Sequence, residues 1–100
     1  MAQKTKAFDA AAYLESEEDI REFMAAAFES GDAAHIARCV GIVARARNMS
    51  QLARDVGMSR AALYRALSGD GNPEFATIVK VLNALGIGIA PVVKSTDAAA

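Results

Sequence analysis

The chain has 100 residues, 53% of them hydrophobic and 23% charged, with a formal net charge of −1. That length predicts one domain rather than two, and that apolar content predicts a packed core rather than a disordered tail. The longest apolar runs, such as Ile87 to Val93, fall far short of the roughly 20 residues that span a bilayer, and the opening MAQKTKAFD carries no signal-peptide core, so a cytoplasmic protein without a membrane partner is expected.

In chain order, residues 1–7 are polar and basic with no apolar period, and a flexible N-terminus is predicted there. Ser16 is placed to cap a helix whose first turn holds Glu17, Glu18 and Asp19, where negative charge suits the positive end of the helix dipole. The Ser16 to Asp19 spacing is close to a capping box. Ile20, Phe23, Met24, Ala27 and Phe28 then share one stripe, and Gly31 ends the helix. Asp32 caps the next helix, with Ile36, Cys39, Val40 and Val43 on its apolar stripe and Arg38, Arg45 and Arg47 mostly off it. Gly41 inside that helix costs about 1 kcal/mol relative to alanine, which predicts close packing as the compensation.

Two short helices are predicted next, from about Ser50 to Val56 and from Ser59 to Leu67, separated by Gly57 and Met58. Leu52 and Val56 are one turn apart, Ala53 is small where two helices must approach, and Gly57 supplies a left-handed turn. Met58 plugs the core, and Leu63, Ala66 and Leu67 hold the inner face of the second helix, which Ser59 caps. This is the pattern of a helix-turn-helix, in which two short helices cross steeply. The run SGDGNP at 68–73 is a turn, and Pro73 and Glu74 open a last helix whose Phe75, Ile78, Val79, Leu82 and Leu85 form its stripe before Gly86 closes it. Met49, Met58, Phe75 and Leu82 are read as core. IGIAPVV at 87–93 reads as a short extended or edge segment, and 94–100, with only alanine to bury, as a flexible C-terminus. Residues 8–93 are thus expected to form a single all-α domain, with an acidic helical extension over 8–31, the helix-turn-helix bundle over 32–86 and the extended segment after it.

The near-zero net charge hides a segregation. Residues 1–37 carry three bases against eight acids, whereas residues 38–68 carry six arginines against one acid, Asp55. Arginine presents a planar fork of donors that fits phosphates and guanine edges, so an arginine-only block points toward nucleic acid. The plainer reading is a solvated face whose arginines pair with the acidic third. The outer face of the helix from Ser59 to Leu67 adds specific chemistry, because it shows Arg60, Ala61, Tyr64 and Arg65. Either arginine can take guanine bidentately, Ala61 or Ala62 can meet a thymine methyl, Tyr64 can reach a phosphate or a base edge, and the helix dipole favours a phosphate near Ser59.

These motifs carry a resemblance to a known family over about Phe8 to Val93. The lead-in DAAAYLESEEDIREFMAAAFESGD, the block IARARNMSQLARDVGMSRAALYRALSGDGNPEF and the later VLNALG resemble the addiction-module antidote proteins related to HigA, within the lambda repressor-like helix-turn-helix group. The resemblance implies a mostly helical, dimeric antitoxin that represses its own operon and neutralises a small RNA-cleaving toxin of the RelE-like class, also called HigB-like. It further implies that Ser59, Arg60, Ala61, Tyr64 and Arg65 form the recognition surface on double-stranded operator DNA, and that Asn72 matches a turn lying on the DNA backbone. Asparagine before proline is also explained by turn geometry alone. In the wider group a phosphate-holding glutamine stands three residues before the leucine of the first helix, whereas here Gln51 directly precedes Leu52, a departure at this candidate DNA-binding position.

Catalysis has little support in the sequence. His35 is the only histidine and has no ligand set around it, so a surface role is expected, and Cys39 reads as a small core residue. The two lie close in sequence on neighbouring helical faces, which is not a triad. Cys39 alone excludes an internal disulfide and a zinc finger. The acids from Glu15 to Glu22 are explained by capping and solvation, and GDG at 69–71 lacks the lysine of a phosphate loop. No enzyme activity, cofactor, metal or small-molecule ligand is expected. The acidic stretch Asp9 to Glu29 is the candidate contact for a basic toxin, with the apolar Ile87 to Val93 as the substitute. Two other readings remain, a stand-alone phage-type repressor and a helical interaction module that reads no DNA.

Overall fold

The structure, a computed structural model, describes residues 14–94. Among these residues five α-helices follow one another and no strand is present: α1 (Glu17–Glu29), α2 (Ala33–Arg47), α3 (Met49–Val56), α4 (Arg60–Ala66) and α5 (Phe75–Ala84). The protein is all-α, as its periodicities predict. Of the predicted flexible ends, 1–7 and 94–100, all but the exposed Lys94 lie outside the described residues, as do the first residues of the acidic extension, 8–13.

Local chemistry sets the helix boundaries. The Ser16 side chain accepts from the Asp19 N–H at 3.0 Å, and the Asp19 carboxylate accepts from the Glu15 N–H at 3.3 Å. The reciprocal half of the capping box is therefore displaced by one residue. Asp32 Oδ1 accepts from Ala34 N–H and His35 N–H at the start of α2. The third helix begins one residue earlier than expected, at Met49, because Asn48 is its cap and accepts from Gln51 N–H at 3.0 Å. The fifth begins later, at Phe75, with Glu74 as an N-cap that makes no side-chain cap bond. Pro73 stands just outside it.

One core unites the five helices. Ile20, Met24 and Ala27 of α1 meet Val40 and Val43 of α2, Leu52 and Val56 of α3, Leu63 of α4, and Val81, Leu82 and Leu85 of α5. α1 packs along α2, and α3 sits against both α4 and α5. Leu63, Leu82, Val40, Val43 and Val81 are fully buried, each worth roughly 1.5–3 kcal/mol relative to exposure. The predicted close approach at Gly41 is realised: a Cβ there would stand 2.8 Å from the carbonyl oxygen and 3.2 Å from the Cβ of Leu67, so α2 lies directly against the end of α4.

Phe75 departs from the expected core, since it is 74% exposed. It is the first residue of α5, and Cα–Cβ bonds in a helix tilt toward its N-terminus, so its ring projects past the helix end. Val81, six residues further along, is buried on the inner face instead. Residues 87–94 adopt no regular secondary structure. Ile87 packs against the core and donates its N–H to the Leu82 carbonyl at 2.8 Å, while Ile89, Val92 and Val93 are exposed. No helix among the described residues is long and apolar enough to cross a membrane.

Candidate nucleic-acid interface

α3 and α4 meet through a turn whose geometry follows from Gly57. Its φ of +73° and ψ of 33° lie in the left-handed region, its N–H donates to the Arg54 carbonyl, and the following Met58 N–H donates to Ala53 at 2.9 Å. Leu52, Ala53 and Val56 face inward from α3, Met58 is half-buried against the core, and Leu63 and Leu67 anchor α4. Ala66, expected on the inner face, is only half-buried. Ser59 caps α4 as predicted, its Oγ accepting from Ala62 N–H at 3.0 Å, which leaves the hydroxyl proton available to a further acceptor.

With one face of α4 sealed by Leu63, the opposite face is exposed along Ser59, Arg60, Ala61, Tyr64 and Arg65. The guanidinium of Arg60 stands over the Tyr64 ring, 5.6 Å from its centroid. At an exposed site such a contact contributes about 0.5–1 kcal/mol, and it narrows the directions in which Arg60 can point. The stacking had a signal in the sequence, the i, i+4 spacing of Arg60 and Tyr64 on one helix face.

Gln51 and Asn72 belong to other elements, the preceding helix and the turn after α4. Gln51 is exposed on α3, where its Nε2 donates to Asp55 at 2.8 Å and its Oε1 accepts from Arg54 at 2.7 Å, so its side chain is held along its own helix. The position three residues before Leu52 is Met49, which is buried in the core. Asn72 is exposed in the turn after α4 with φ +47°, the one non-glycine residue with positive φ among the described residues. Asparagine tolerates that conformation well, which accounts for the residue type. A Cβ on the adjacent Gly71 would collide with the Arg65 carbonyl oxygen, so the turn folds back tightly on the end of α4.

His35 differs from the surface position expected of it, whereas Cys39 is the core residue its place on the apolar stripe predicts. His35 is half-buried, and its Nε2 lies 3.6 Å from the Cys39 sulfur, because residues four apart share a helix face. Cys39 is buried, and that burial pushes its thiol above the ordinary value of 9.0 against the opposing charge of Arg38. A thiol held neutral in this way is a core residue rather than a nucleophile.

A model of the family described as "Probable addiction module antidote protein" matches residues 4–93. An uncharacterized protein of Haemophilus influenzae (strain Rd) is 48% identical over 87 residues, which cover 87% of this chain and 90% of that protein. No solved structure gives a significant match.

Proposed function

The chain belongs to the family of probable addiction module antidote proteins, and from that premise we propose that it is a DNA-binding antitoxin that acts as a dimer. It represses its own operon and neutralises, by direct binding, a small basic RNA-cleaving toxin of the RelE-like class. Membership of an antidote family points to a regulatory protein rather than an enzyme and favours a toxin partner over a stand-alone repressor.

The observation that carries the DNA reading is the outer face of α4, where an Arg60 guanidinium stacked on Tyr64 stands beside Ala61 and Arg65 on a helix sealed from behind by Leu63. In a major groove the two arginines present bidentate donors to guanine, Ala61 meets a thymine methyl, and Ser59 and Tyr64 reach phosphates. Asn72 approaches the backbone from the turn, and Gln51 reaches a phosphate only by leaving Arg54 and Asp55. Two copies place their α4 helices in successive major grooves about 34 Å apart on a palindromic operator. Arg60→Ala tests the assignment: affinity for the operator falls by about 1–3 kcal/mol and selectivity relaxes at one base position. Equal weakening on every sequence contradicts base reading by Arg60.

The toxin reading rests on α1. Glu18, Glu22 and Glu29 are exposed on it, and a protein that binds RNA presents basic surface that such acids complement.

A further inference from the structure

The six arginines of the basic block do not all border the same surface. Arg38 lies on α2, outside the helix-turn-helix, yet its side chain runs over Gly69 in the turn that follows α4. A Cβ at Gly69 would meet the Arg38 Cγ, Nη1 and Cδ at 2.5, 2.7 and 2.9 Å. Arg45, two turns along α2, borders the space over Gly41 with its Nη1, the same space that the Leu67 carbonyl closes from the α4 side. Residues 38, 41 and 45 share one face of α2, and that face is the one laid against the end of α4. Both arginines are exposed, and among the described residues neither has a carboxylate within ion-pair distance, where the one ion pair is Arg21 with Glu18.

The other two arginines outside α4 lie elsewhere. Arg47 lines a groove between α1 and the end of α5, in company with Glu17 and Arg21. Arg54 is hydrogen-bonded to Gln51 and borders a depression shared with Asp55, Lys80 and Asn83.

We propose that Arg38 and Arg45, seated by Gly69 and Gly41 against the end of α4, form a phosphate-binding strip on α2 that extends the DNA interface beyond the helix-turn-helix, while Arg47 and Arg54 lie outside it. This rests on the DNA-binding reading given above. The strip continues the positive charge of Arg60 and Arg65 past the end of α4, and its occupant is the sugar-phosphate backbone next to the groove that α4 reads. Phosphate contacts fix register and orientation without reading sequence. A side chain at position 41 would press on the Leu67 backbone, and one at 69 would be strained by the φ of +93° there as well as crowd the Arg38 stem.

The test measures binding of the full chain to a labelled duplex taken from upstream of its own gene and to a scrambled duplex, across a salt series. Arg38→Gln and Arg45→Gln keep much of the aliphatic stem while removing the charge, and Arg47→Gln makes the same change in net charge elsewhere. The first two each lower the slope of log affinity against log salt by about 0.9, the value of one phosphate contact, and weaken both duplexes by the same factor. Arg47→Gln leaves the slope unchanged. Circular dichroism melts of the three variants show that each is folded. Wild-type protein binding with a steep slope, but with Arg38→Gln and Arg45→Gln no different from Arg47→Gln, overturns the strip and leaves the recognition helix standing. Wild-type protein that binds neither duplex overturns both.

Discussion

Gly41 shows how a single missing side chain positions the site. Its absent Cβ lets α2 touch the backbone of Leu67, the residue that ends α4. In a solvent-exposed helix, replacing glycine by alanine stabilises by about 1 kcal/mol. Here the added methyl meets a backbone oxygen at 2.8 Å, which cannot swing away as a flexible side chain can. Overpacking of this kind costs about 1–3 kcal/mol, so the clash outweighs the propensity gain. Gly41→Ala is therefore expected to lower the urea midpoint of unfolding; a raised midpoint would mean that α2 and α4 have room to separate. Much of the residue scale was legible in advance. The caps at Ser16, Asp32 and Ser59 and the turn at Gly57 were, because each depends on neighbours within four residues. The Arg38 seat over Gly69 was not, because it joins residues thirty-one apart through a packing contact that no local spacing records.

At the scale of elements, periodicity located all five helices of the described chain and erred where a helix begins. Asn48 rather than a later residue caps α3, and Pro73 precedes α5 instead of opening it. Phe75 fits the apolar stripe of α5 by spacing, yet it is exposed, since a stripe says which side of a helix faces the core and not how far the core extends along it. The exposed face of α4 was legible because its opposite face is fixed by Leu63 and Leu67. α1 carries the element-scale prediction. Residues 18, 22 and 29 lie on one side of it, and reversing two of them, Glu22→Lys with Glu29→Lys, is expected to slow association with the toxin by more than tenfold at low salt, with the difference shrinking as salt rises. Surface plasmon resonance measures both rates. Association unchanged by the reversal would place the toxin contact elsewhere, with the exposed Ile89, Val92 and Val93 next in line.

The whole molecule separates its charges in space as it does in sequence. Acids line the exposed side of α1, and four of the six arginines of the basic block stand on α4 and the adjoining face of α2, so a net charge of −1 conceals two surfaces suited to partners of opposite sign. The sequence arithmetic marked the basic block but could not divide it, because which arginines border α4 depends on how α2 packs. The measurement that tests the DNA-binding reading most directly is fluorescence anisotropy of the protein with the duplex upstream of its own gene against scrambled DNA, from about 50 to 300 mM salt. Binding to the upstream duplex at least about a thousandfold tighter than to the scrambled one, falling steeply as salt rises, is the result predicted for a recognition helix anchored by phosphates. Equal and weak binding to both duplexes would contradict it and would mean that the exposed face of α4 meets a protein instead.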